Sequence, residues 1–133
     1  MAGETELKKL IKSMRPELNS GEYVFTTEVS LDYIPRENIL GQFAEKEGIT
    51  VIIEKEKADV LGLQYDFIAS WITLTIHSSL KAVGLTAIFA SELAKNSIGC
   101  NVVAAYYHDH IFVDKKDSEK AMKVLKNLSQ NYS

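Results

Sequence analysis

Residues 71–113, WITLTIHSSLKAVGLTAIFASELAKNSIGCNVVAAYYHDHIFV, decide the fold. They read as strand, loop, helix, strand, turn, strand. Trp71 to Ile76 is apolar and β-branched, the composition of a paired strand. His77-Ser78-Ser79-Leu80-Lys81-Ala82-Val83-Gly84 breaks that pattern with small and polar residues. From Leu85 the period changes. Leu85, Ile88, Phe89 and Leu93 stand at i, i+3, i+4 and i+8, one face of a helix. Asn96-Ser97 with Gly99 can end it. Cys100 to Ala105 forms a second strand, and Ile111 to Val113 begins a third after a short polar turn.

A helix that starts near Leu85 leaves its first backbone N–H groups without intrahelical partners. They carry partial positive charge toward the preceding loop, and a carboxylate or another anion is their natural partner. Gly84 has no Cβ, so a ligand could approach its backbone closely. The same residues also suit a plain tight turn with water on the N–H groups.

The remaining chain sets bounds on this reading. It has 133 residues, 46% of them hydrophobic and 25% charged, enough for one ordinary domain or two small units sharing a core. The net charge of −3 argues against a general nucleic-acid binder, which needs a basic face, although it leaves room for a local basic patch. One cysteine, Cys100, permits no disulfide within the chain and fits a reducing compartment. No basic segment followed by an apolar stretch opens the sequence, and no apolar run approaches the ~20 residues that cross a bilayer. The expectation is a cytoplasmic protein with no membrane partner.

Leu7, Leu10, Ile11 and Met14 mark an amphipathic helix over 4–14, with Thr5 or Glu4 favouring its start and Arg15-Pro16 ending it. Lys8, Lys9 and Lys12 lie off the stripe as a solvated face. Ser20-Gly21 is a turn, and Tyr23 to Val29 a strand. Pro35 is placed to open a short helix carrying Ile39, Leu40 and Phe43. Ile49 to Ile53 reads as a strand covered on both faces. Glu54-Lys55-Glu56-Lys57 is a solvated edge or a helix start, and Gly62 closes about one or two helical turns over 58–63. Tyr65 to Ala69 is another strand, running almost directly into Trp71. A last helix begins at Asp117 as N-cap, with Ala121, Val124, Leu125 and Leu128 inward.

A faint internal repeat links the halves. Val51-Ile52-Ile53-Glu54-Lys55 aligns with Ile111-Phe112-Val113-Asp114-Lys115: in both, an apolar strand runs into an acidic-basic pair and then a helix. Two related units fused head to tail are expected, with strands near 65–77 completing the sheets of both.

The combination His77-Ser78-Ser79-Leu80, Val83-Gly84-Leu85-Thr86, Cys100-Asn101-Val102-Val103 and Tyr106-Tyr107-His108-Asp109-His110-Ile111-Phe112-Val113 resembles the ACT domain. More narrowly, it resembles small bacterial tandem ACT-domain proteins of unassigned function, related to the ACT units of eukaryotic cytosolic arginine sensors. With Phe43 to Val51 the resemblance spans most of the chain. It implies an α+β fold of two tandem ferredoxin-like βαββαβ units, with antiparallel sheets covered by helices on one face. A degenerate N-terminal unit would occupy 1–69 and a second unit 70–133. It implies a non-enzymatic regulatory or sensor protein that binds an amino acid or similar small carboxylate. In ACT domains ligands use the first strand-to-helix loop and the start of the second strand. By position that gives Ser78, Ser79, Val83, Gly84, Leu85, Thr86, Asn101 and Val102. The backbone near Gly84–Thr86 suits a carboxylate, and the Asn101 amide offers a donor and an acceptor. Capping by Ser79 and Thr86, and a turn bond by Asn101, are the structural alternatives.

No catalytic residue and no cofactor are expected. Cys100 opens an apolar strand, where cysteine behaves as a small hydrophobe. A metal site from His77, His108 and His110 is the minor alternative, because His108 and His110 share a strand face with Asp109 opposite. With no catalytic domain attached, a sensor must act on a separate protein partner. Unpaired sheet edges favour a homodimer through edges or helices. The competing expectation is a protein–protein interaction module that has lost its ligand.

Overall fold

The computed structural model describes residues 2–76 and 84–132. Along the chain these form α1 (Ala2–Ser13), β1 (Arg15–Leu18), β2 (Tyr23–Glu28), a 3-10 turn (Arg36–Asn38), β3 (Ile39–Ala44), β4 (Ile49–Glu54), α2 (Lys55–Leu61) and β5 (Ile68–Thr75). There follow α3 (Leu85–Lys95), β6 (Cys100–Ala104), β7 (Asp109–Asp114), a second 3-10 turn (Lys115–Asp117) and α4 (Ser118–Asn131). The fold is α+β, with two ferredoxin-like units. They are compact over residues 20–70, and over residues 1–19 together with 71–133.

In the 20–70 unit the strand order is β3-β4-β2-β5, each neighbour antiparallel. β4 lies between β2 and β3, which is why its Val51-Ile52-Ile53 run is buried throughout. Val51 and Ile53 join Val24, Ile34, Ala58 and Leu63 in one core. Gly62 ends α2 at φ 71°, a left-handed cap open to glycine, while Leu63 N–H donates to Ala58 O at 2.9 Å. The helix expected after Pro35 is only the three-residue 3-10 turn, and Ile39 to Ala44 is a strand. The spacing of Ile39, Leu40 and Phe43 suits a helix, but β4 needs a second partner, and the pairing of Ile39 with Ile53 and of Phe43 with Thr50 supplies it. Glu45 N–H donates to Gly48 O at 3.0 Å and closes that hairpin.

The second unit has the order β1-β5-β7-β6. β1 has no counterpart in the sequence pattern, where Arg15-Pro16 marks only the end of the first helix. Arg15 pairs with Thr75 and Leu18 with Ile72, antiparallel, so the chain's beginning supplies this sheet with its outer strand beside β5. The strands expected at 65–69 and 71–76 merge into one strand, β5, which starts only at Ile68; residues 65–67 lie outside it. Its Ile68 and Ala69 pair with β2, and its Ile72 to Thr75 pair with β1. Residues 1–19, expected in the N-terminal unit, thus pack with 71–133.

Helices cover one face of this sheet. Ile72, Leu74 and Ile76 of the β5 stretch and Ile111 and Val113 of β7 meet Ile11 of α1 and Met14 just after it, Leu85, Phe89 and Leu93 of α3, and Ala121 and Leu125 of α4. The C-terminal ends of α1 and α4 meet at Ser129, which is 4% exposed. Its hydroxyl donates to Met14 O at 2.8 Å or Lys12 O at 3.1 Å. α1 begins at Ala2, ahead of Thr5. Asp117 precedes α4 without a side-chain cap bond, and it is Asp114 that accepts from Lys116 N–H at 3.0 Å, capping the 3-10 turn.

Met14→Ala removes a fully buried side chain and should cost about 2–5 kcal/mol. Hydrogen exchange should then accelerate in β5 from Trp71 onward, in β7 and in α4. Acceleration confined to residues 20–70 would contradict the division of the chain.

Candidate functional site

The site is organised by the path of the βαββ segment. β5 leads toward residues 77–83, α3 returns, β6 runs out again, and the β6–β7 hairpin turns back. Trp71 meets Phe112, Trp71 and Thr73 meet His110, and Ile76 meets His108, so β7 runs antiparallel to β5. The end of β5, the start of α3 and the hairpin turn at residues 105–108 therefore lie at one end of this unit.

At that end Gly84 takes φ 87° and caps α3 without a side-chain bond. The first helical bond runs from Ile88 N–H to Gly84 O at 3.1 Å, which leaves the N–H groups of Leu85, Thr86 and Ala87 without intrahelical acceptors. Leu85 is buried in the core and anchors the helix start, while Gly84 and Thr86 are exposed. His77, Ser78, Ser79 and Val83 lie outside the described residues.

Asn101 and Val102 are elsewhere. Asn101 pairs with Phe112, and Ala104 pairs with Asp109, so Asn101 stands at the opposite end of β6 from the α3 start. The eleven residues of α3 span about 16 Å. Asn101 is exposed on β6, the outer strand, and Val102 packs against the core. Gly84 and Thr86 stand at the start of α3 and Asn101 near the start of β6, with the length of α3 between them in the chain.

The hairpin brings side chains that the sequence reading did not place in the site. Asp109 is 8% exposed and faces the helix side of the sheet in register with Ile111 and Val113. Burial pushes its carboxyl above the ordinary 3.8, while the neighbouring His110 and His108 pull the other way. His110 lies on the other face. The Trp71 indole N–H donates to its Nδ1 at 3.0 Å, and the Thr73 hydroxyl lies 3.2 Å from the same atom. Thr73 Oγ1 accepts from the Asn19 amide at 2.9 Å. An Nδ1 that accepts from indole carries no proton, so His110 is neutral with its hydrogen on Nε2. Burial, with the nearby His108, lowers its pKa from the ordinary 6.5 and agrees with that tautomer. Tyr106 and Tyr107, 80% and 75% exposed, form an edge-to-face pair with centroids 5.0 Å apart on the hairpin turn. The signal for all of these was the hairpin itself, since strands at 100–105 and 111–113 put residues 106–110 at the end where β5 exits.

The other candidates have plainer settings. Cys100 packs against the core, and burial raises its thiol pKa, opposite to activation. Among the described residues no group of three His, Cys, Asp or Glu could hold a metal ion. Among them, too, no helix is long and apolar enough to cross a membrane.

Comparison with known proteins gives this architecture its class. Two ACT-domain models match the sequence, over residues 2–70 and 67–127. The chain belongs to the ACT-domain family and carries two such domains in tandem. A Vibrio cholerae protein of unknown function, described as a possible transport protein, is 46% identical over 96% of this chain and 99% of its own, with a TM-score of 0.87. The ligand-free regulatory subunit of Thermus thermophilus aspartate kinase matches with a TM-score of 0.59 at 6% identity, over 85% of this chain and 95% of that one. Clostridium acetobutylicum aspartate kinase matches with a TM-score of 0.58 at 14% identity, over 89% of this chain and 34% of its own. At those two identities the likeness is one of fold. No protein of curated function matches the sequence.

Two pH effects follow. A buried carboxyl whose folded-state pKa is raised stabilises the fold below its unfolded value and loses that contribution as the pH rises through the folded value. Asp109→Asn should therefore raise the unfolding temperature at pH 7, with the gain shrinking toward pH 4. An equal gain at both values would contradict the assignment. His110 has the opposite sign: its contribution is present above 6.5 and is lost as the pH falls through the lowered folded-state value. Trp71 fluorescence should change over that acid window, and His110→Gln should abolish the change.

Proposed function

We propose that the protein is a non-enzymatic sensor that binds an amino acid or similar small carboxylate where residues 77–86 join β5 to α3. The observation that carries this is the uncapped start of α3 at Gly84 in a chain of the ACT family. The N–H groups of Leu85 to Ala87, which have no intrahelical acceptor, and the helix dipole suit a carboxylate. Leu85, buried in the core, would contribute backbone only. Ser78, Ser79, Val83 and Thr86 would complete the pocket. Ligand binding would order this end of the unit and change an interface with a separate partner.

The distance along α3 adds a condition. A single small ligand cannot touch Thr86 and Asn101 of one chain across about 16 Å. Asn101 and Val102 would meet it from a second copy, whose exposed outer strand β6 would lie against the α3 start of the first. The site is then assembled by a homodimer. A cytoplasmic location fits such a role.

A second reading is favoured by the exposed Tyr106–Tyr107 pair at the same end. Exposed aromatics are the residues that anchor protein partners, so this end could hold a protein without any ligand.

Thermal unfolding against the twenty amino acids and common carboxylates separates the two. One compound should raise the unfolding temperature by several degrees near saturation. Asn101→Ala should weaken that shift without lowering the temperature of the free protein. No shift from any compound at millimolar concentration would remove the sensor and leave the interaction module.

A further inference from the structure

A cleft of about 390 Å³ lies in the 1–19/71–133 unit, where the end of α1 and the start of β1 face the last turns of α4. Three cations line it: Lys12, Arg15 and Lys126, with Gln130 beside them. Ion pairs among the described residues include Lys55–Asp59, Lys57–Glu54 and Lys95–Glu92. None of the three cleft cations belongs to such a pair, in a chain whose net charge is −3.

The helix ends explain part of this charge. The C-termini of α1 and α4 meet here, and each carries about half a negative elementary charge. Together they offset about one of the three cations and leave roughly two positive charges over. The Arg15 guanidinium is also held in place. Its Nη1 donates to Met14 O at 2.9 Å and Lys12 O at 3.0 Å, and lies 3.4 Å from Ser129 Oγ. These bonds use one nitrogen and fix the plane of the group. The remaining guanidinium N–H groups retain the fork that matches two oxygens of one anion.

We propose that this cleft is a binding site for a small, multiply charged anion bearing phosphate or clustered carboxylates. Arg15 grips two anion oxygens from its fixed position, Lys12 and Lys126 close on the charge from the two helices, and Gln130 supplies an amide. An α-amino acid, whose ammonium group offsets one carboxylate and leaves at most one net negative charge, does not match three cations. The cleft is therefore independent of the amino-acid site at α3, and either could exist without the other.

The test is thermal unfolding and calorimetric titration of the full chain with pyrophosphate, citrate and sodium chloride, at one ionic strength. Constant ionic strength removes general screening from the comparison. Pyrophosphate, citrate or both should raise the unfolding temperature saturably above the chloride control. A response to pyrophosphate alone assigns phosphate as the recognised group, and one to citrate alone assigns carboxylates. The double variant K12Q/K126Q, both exposed lysines, should keep its circular dichroism and unfolding temperature and lose affinity by about tenfold per lysine removed. The charge reversal Lys126→Glu should abolish the response. No effect beyond the chloride control, or an affinity unchanged in the double variant, overturns the proposal.

Discussion

The pairing of Arg15–Leu18 with Ile72–Thr75 is the interaction on which most of the functional unit depends. It supplies the strand that β5 lacks on one side, and it draws α1 over the same sheet face as α3 and α4. Ile11 and Met14 then help to bury Leu74 and Ile76. The same pairing sets Asn19 beside Trp71 and Thr73, where it orients the hydroxyl that faces His110. It also brings the last carbonyls of α1 to Ser129 and Arg15, which creates the basic cleft. A strand of four residues containing a proline is weak alone. Here it is held at both ends, by the Asn19 N–H bond to Trp71 O at 2.9 Å and by the Ser129 bonds to the chain just before it.

The two proposed sites use opposite chemistry at helix ends. At the start of α3 the backbone presents N–H groups with no side-chain cap. At the end of α1 the carbonyls of Lys12 and Met14 are taken by Arg15 and Ser129, so that recognition in the cleft passes to the side-chain cations. A site built on N–H groups suits a single carboxylate closely approached, and Gly84 leaves room for that approach. A site built on three cations suits a higher charge and tolerates more variation in shape. Asp109, kept from water at the start of β7, is a cost to stability at neutral pH. Such a cost is expected where a buried group serves a site and not the core.

Much of this was legible in the sequence. The change of period at Leu85 and the apolar block at Ile49 each place an element to within a residue or two, because in both cases burial and backbone pairing agree, while the run from Trp71 marks the end of β5 but not its start at Ile68. β1 was not legible, since Arg-Pro-Glu-Leu has neither alternation nor β propensity, and its pairing comes from a partner more than fifty residues away. The strand at Ile39 was misread because its apolar spacing fits a helix and the demand of β4 for a second neighbour is not local. The site was half legible. The Gly84 turn declares itself by composition, whereas the separation of Asn101 from Thr86 follows from chain direction: strand and hairpin meet at one end of a βαββ segment, and the second strand starts at the other. The burial of Asp109 on the sheet face opposite its two histidines needed the register of the hairpin.

The most direct measurement is amide chemical-shift mapping of the isotopically labelled full chain during titration with each amino acid and small carboxylate. The account predicts that one compound perturbs Gly84–Thr86 and the 105–109 turn, with Asn101 responding only at concentrations where the protein is dimeric. Perturbations confined to other surfaces, or none from any compound, would contradict a ligand site at the start of α3.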